Sequence, residues 1–185
     1  METTLVSSAT YQQEQDLFRA ISLTALLAGT LDITAAIVKF YIEHRQGPIP
    51  VFRYIASGVF GKETASTGTL MIIWGIVFHY INAFLFTAFL FLIYPKLIAW
   101  LKNKFLTGFI YGVFIWAIMN LVVLPLSRIN KFPSDPEQAI IDAMILIGMT
   151  GLPVALIAHR HYSRGGCVNL NFTENNREKA KSHRA

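Results

Sequence analysis

Cysteine, charge and phosphate-binding motifs are what this sequence has least of. The one cysteine, Cys167, cannot close an intramolecular disulfide, so no covalent framework supports the fold. Charged residues make up 15% of 185 residues and hydrophobic ones 54%, with a mean hydropathy of +0.46; that is too little polar surface to coat a water-soluble globule. Gly-rich phosphate loops, H-E-x-x-H and paired cysteines are all missing. A metal or haem reading is correspondingly weak, because His79 is the only histidine at membrane depth and a b-type haem needs two axial ligands there. No cofactor and no metal are expected.

Long apolar runs are what the chain has instead. Residues 18–42, 67–94, 105–126 and 139–158 each reach the ~20 residues that carry a helix across ~30 Å of hydrocarbon. The first is too long for a signal h-region and follows a stretch with Glu2, Glu14 and Asp16, so it is expected to stay as helix 1. The fold class is therefore all-α, an integral membrane four-helix bundle. Its domain plan is an N-terminal cytoplasmic segment 1–17, a transmembrane domain 18–161 and a basic tail 162–185. Four crossings put ten Lys and Arg on the side of the termini and six on the other, which places both termini in the cytoplasm by the positive-inside rule.

Boundary chemistry fits this layout. Ser134-Asp135-Pro136-Glu137 reads as a capping box with Ser134 as the cap of helix 4. Tyr94-Pro95 is expected to end helix 2, and Pro125 to end or kink helix 3. Residues 48–61 are apolar but too short to span; an interfacial helix is favoured over a re-entrant one.

Each span carries polar residues that hydrocarbon penalises. Asp32 costs about 2.5–3.5 kcal/mol at the membrane centre, whereas each Leu, Ile, Val or Phe returns about 0.3–0.6. Helix 1 inserts all the same, with Asp32 turned inward. Asp32 and His79 each lie ten residues from the outer end of their helices, about 15 Å deep, and are candidate partners, with Asn82 on the same face as His79. Asn120 and Asp142 form a shallower pair, and the Lys39 ammonium either snorkels outward or meets Asp142 across the bundle. The hypothetical binding set is thus Asp32, Lys39, His79, Asn82, Asn120 and Asp142. The plainer reading makes these residues helix-packing glue. Gly108 and Gly112 supply a G-x-x-x-G seam, for a helix of the same bundle or for a homo-oligomer through helix 3. His159 and His161 belong to the basic flank. The tail is read first as fixing topology, with attraction to anionic headgroups as the alternative, and no nucleic-acid partner is expected.

Several local patterns look like a family. They are Ile55-Ala56-Ser57-Gly58, His79, Tyr111-Gly112, the run from Met119 to Ser127, and Gly151-Leu152-Pro153. As a set they resemble small four-helix bacterial inner-membrane proteins of the YagU type, over residues 18–162 and neither tail. The resemblance implies a bacterial inner-membrane location and carries over no catalytic residue.

Three functions compete at this stage. The first is a small-solute or proton permeation component built on the ionisable interior. The second is an accessory subunit whose polar residues specify packing. The last and weakest is an enzyme with His79 as base, for which no nucleophile is in sight; the chain is read as not an enzyme.

Overall fold

The computed structural model describes residues 2–163 apart from 67, 131, 133 and 134, with side chains from residue 15 onward. The expected basic tail lies, from residue 164, outside the described residues, as does Ser134. The described residues form six helices and no strand. These are α1 Glu2–His44, α2 Ile49–Phe60, the single turn α3 Lys62–Ala65, α4 Leu70–Leu101, α5 Lys104–Leu126 and α6 Pro136–Ser163. Four of them are long and apolar enough to cross a membrane, with mean hydropathy of 1.8 to 2.2 over their best windows. The chain is a multi-pass, all-α membrane protein. Its outward faces carry large apolar side chains such as Leu23, Ile81, Leu92 and Ile140, and Ala25, Ala28 and Thr24 face inward. A lipid-exposed bundle distributes its residues in this way.

α1 runs on through residues 2–17, so the expected N-terminal segment continues the first helix. Residues 17–21 of α1, 97–98 of α4 and 157–162 of α6 all border one apolar core, which puts the two ends of the described chain at the same end of the bundle. α1 packs on α4, α4 on α5, and α5 on α6. α1 meets α6 more closely at residues 147–151 than along 136–146, and further down both border the same apolar core.

Two boundaries differ from expectation. α6 is capped by Asp135, whose Oδ1 accepts the Glu137 N–H at 3.0 Å, with Pro136 in the first position. The cap is thus one residue later than Ser134, because a proline at N1 leaves the preceding side chain nearest the free N–H groups. α4 does not stop at Tyr94-Pro95 but continues to Leu101, ending at the left-handed Lys102. Pro95 has no N–H for the Phe91 carbonyl; the Tyr162 hydroxyl of α6 donates to that carbonyl at 2.7 Å instead. Tertiary structure supplies the missing donor, so the helix survives its proline. Asn103 then caps α5 by accepting the Phe105 N–H at 2.9 Å.

α5 and α6 each widen into one π-helical turn, at Met119–Val123 and Ile147–Gly151, two residues ahead of Pro125 and Pro153. The wider turn moves the carbonyl that the proline ring would otherwise crowd. α5 ends one residue after Pro125.

The G-x-x-x-G seam closes inside the chain. A Cβ on Gly112 would stand 2.6 Å from the Ile147 Cα, and one on Gly108 would stand 3.0 Å from the Gly151 carbonyl oxygen. Gly108, Gly112 and Gly151 thus let the backbones of α5 and α6 touch. The short α2 is held just as closely, since the Phe52 backbone packs directly on Gly75 of α4. Its far end is tied to the α5 terminus, where the Arg128 N–H donates to the Gly58 carbonyl at 2.9 Å.

Candidate functional site

All six residues of the expected polar interior line one cavity of about 770 Å³. It occupies the half of the bundle farthest from the chain ends, with α1, α4, α5 and α6 as walls. Pro50, Val51, Tyr54, Ile55 and Gly58 of α2 face into it. Segment 48–61 is therefore packed into the bundle as a wall of the cavity. At the bottom lie Phe86 and Ile115, and below them the apolar core of Leu90, Phe91, Tyr94, Tyr111 and Val154. The Tyr111 hydroxyl donates to the Phe86 carbonyl at this level.

Near the mouth, the Lys39 Nζ meets Asp142 Oδ1 at 2.5 Å and Glu43 Oε1 at 3.7 Å. The sequence offered Lys39 two fates, and the structure takes the pairing across the bundle. His44 stacks on Phe40 at 4.4 Å between ring centroids, with its Nδ1 3.9 Å from Glu43. Tyr54, outside the four spans, has its phenol pushed above the ordinary value, first by partial burial and then by the Asp142 carboxylate. It therefore stays a hydroxyl donor at the cavity wall at neutral pH.

At mid-depth the expected pairing of Asp32 with His79 is not formed. His79 Nε2 lies 2.8 Å from the Gly29 carbonyl of α1, and since a carbonyl only accepts, Nε2 carries the proton. Gly29, one turn before Asp32, lets α4 come close to α1, since a Cβ there would stand 3.0 Å from the Ala83 Cβ and 3.3 Å from the Tyr80 ring. Beside this bond, the Tyr80 and Thr30 hydroxyls meet at 3.0 Å. Asp32 shares the cavity and interacts with His79 through space, but no ion pair within 4 Å joins them. Asn120 and Asp142 do not pair either. The Asn120 amide donates to the Trp116 carbonyl of its own helix at 3.0 Å, next to the π turn, while Asp142 is taken by Lys39. Asn82 faces the cavity without a hydrogen bond among the described residues.

Thr150 is the site residue that the sequence did not announce. The threonines at 24, 30, 34 and 107 each donate to the carbonyl four residues back, the usual fate of a helical hydroxyl. Thr150 lies inside the α6 π turn, where that register is lost. Its Oγ1 is buried with no partner, on a residue 7% exposed, and it lines the cavity facing Asp32 without reaching hydrogen-bond geometry. Gly148, Gly151 and Pro153 around it were the available signal.

A second, shallower groove of about 640 Å³ runs down the outside of the α1–α6 junction. Leu31, Val38 and Ile42 of α1 and Ile141, Ile145 and Met149 of α6 line it. Lys39, Glu43 and Ile145 border both groove and cavity.

Among the described residues no three His, Cys, Asp or Glu side chains converge on a point where they could hold a metal ion. No family model matches the chain, and neither do any curated protein or solved structure.

Proposed function

We propose that the chain is a small-solute or proton permeation component of a bacterial inner membrane, with both termini cytoplasmic and the cavity open on the opposite side. One observation carries this reading: three helices, α1, α4 and α6, bring Asp32, His79, Asn82 and Thr150 together at mid-depth around one cavity, and among the described residues no ion pair or backbone contact takes up the Asp32, Asn82 or Thr150 side chains. Glue would be paired. Among the described residues Asp32 has only the Thr150 hydroxyl and the His79 imidazole beside it, and an aspartate at the membrane centre costs about 2.5–3.5 kcal/mol to insert.

The test is flux in proteoliposomes containing the purified chain, read with a pH-sensitive dye and with a radiolabelled small amine. Asp32→Asn is expected to reduce flux at least about tenfold, the loss of one charged contact of about 1.4 kcal/mol, with the folded yield unchanged. His79→Ala is expected to reduce it as well. Flux that both variants leave intact would remove the proposed site.

The accessory-subunit reading rests on two other contacts. Lys39 to Asp142 and His79 to Gly29 both tie α1 to another helix. Under that reading Asp32→Asn lowers the melting temperature in detergent and alters no flux.

A further inference from the structure

The permeation reading leaves the substrate class open, and two features of the α1–α6 junction narrow it. The first is the apolar groove on the lipid side. Thr30 to Glu43 bound it along α1, fourteen residues or about 20 Å, which is on the order of one leaflet of hydrocarbon. At that depth the surrounding solvent is acyl chain, and Ile141, Ile145 and Met149 offer it a matching wall. The groove also adjoins the cavity. Lys39 and Glu43 on one side and Ile145 on the other border both, so these side chains stand between the lipid face and the polar interior at the α1–α6 gap.

The second feature is the sign of the interior. Asp32, Glu43 and Asp142 set three carboxylates against the single ammonium of Lys39. The Asp142 and Glu43 side chains are 43% and 35% exposed, whereas that of Lys39 is 20% exposed and already held by both. A visitor at this gap therefore meets oxygen acceptors before it meets a cation. Deeper in, the unpartnered Thr150 hydroxyl and the Asn82 amide face the same space.

We infer that the cavity and groove together form one site for a cationic amphiphile drawn from the bilayer, its alkyl chain in the α1–α6 groove and its amine headgroup among Asp142, Glu43 and Asp32. This rests on the permeation reading for its purpose but not for its test, which measures occupancy.

The experiment uses the full chain in nanodiscs of zwitterionic phosphatidylcholine, with a dodecylamine bearing a diazirine on its chain as photoprobe. Adducts should map to residues 31–42 and 141–149. Unlabelled dodecylamine should compete, whereas dodecyl sulfate and ethylamine at the same concentration should not. Ile145→Trp, which fills the groove and leaves every carboxylate in place, should cut labelling about tenfold, and Glu43→Gln with Asp142→Asn should do the same through the headgroup. Competition by dodecyl sulfate as strong as by dodecylamine would overturn the choice of charge, and equal competition by ethylamine would overturn the role of the chain. Adducts confined to other helices would overturn the site itself. The competition arms need no variant to fold. If short amines cross the membrane in an Asp32-dependent way while the probe labels elsewhere, permeation stands and the amphiphile site falls.

Discussion

The two halves of the bundle treat polar groups in opposite ways. In the half that carries the chain ends, Tyr162 and Tyr111 extend hydroxyls to the carbonyls of Phe91 and Phe86, and Tyr94 stacks on Tyr162 at 5.7 Å with the rings 9° apart. Rings fill the interior there, and these two tyrosine hydroxyls serve the backbone. Two hydroxyls in that half, Thr87 Oγ1 and Tyr94 Oη, are buried without a partner, and nothing in the packing accounts for them. In the other half an open cavity lies between the helices, and at its middle depth Asn82 and the Thr150 hydroxyl make no hydrogen bond to the backbone among the described residues. The prolines follow the same division. Pro95, in the closed half, is strapped by a tyrosine, whereas Pro125 and Pro153 follow π turns that line the cavity. One end is built for rigidity and the other for contact with something outside the fold.

The sharpest break of that contrast is at the α5–α6 seam. Gly112→Leu must push a side chain into Ile147, and we expect at least about 3 kcal/mol of destabilisation, seen as loss of folded monomer on size exclusion. Gly148→Leu, at a position with no atom within 4 Å of the new Cβ, should fold normally. Equal damage from both would mean that α6 tolerates no bulk anywhere, and the seam would not be special.

Next in size is the proline strap. Tyr162→Phe leaves the Phe91 carbonyl with neither a backbone nor a side-chain donor, at a cost of about 1–3 kcal/mol. Pro95→Ala restores the N–H, so the double variant should recover most of the lost thermal stability. A cycle in which the two effects simply add would sink this account of why α4 outlasts its proline.

How much of this could be read from residues alone follows from what each feature depends on. The four spans are local, since length and hydropathy suffice, and the inward turn of Asp32, His79 and Asp142 follows from the penalty of facing lipid. Lys39 and Asp142 could be matched by depth because an ion pair tolerates a long, flexible lysine. Depth alone failed for Asp32 and His79. Whether an imidazole meets a carboxylate or a carbonyl at the same level is decided by helix rotation and by Gly29, which no periodicity reports. Helix 2 was ended at Pro95 because its rescuer, Tyr162, lies 67 positions further on. Nothing in the residue itself sets Thr150 apart from other helical threonines, since the π turn around it forms only where α6 packs ahead of Pro153.

A smaller effect is expected at the cavity mouth. Lys39→Met removes an ion pair whose members are 20%, 35% and 43% exposed, so screening limits its worth to roughly 1 kcal/mol or less. The loss should be measurable as a thermal shift at low salt and fade at high salt. A shift of several degrees that ignores salt would make the pair a structural clamp and shift the balance toward the accessory-subunit reading.

The smallest change in stability should come from Thr150→Val, and it separates the two halves best. The valine is nearly the same shape, and the hydroxyl it replaces is buried at 7% exposure with no hydrogen bond to lose. Removing an unsatisfied buried polar group is neutral or stabilising by about 1–3 kcal/mol at most. Folding should therefore be unharmed while amine flux or photoprobe occupancy falls. Thr107→Val is the matched control in the closed half: its hydroxyl donates to the Asn103 carbonyl at 2.9 Å, so the change should lower stability slightly and leave flux untouched. If Thr150→Val behaves like Thr107→Val, the free hydroxyl is a by-product of the π turn and the middle of the cavity loses its claim to a ligand.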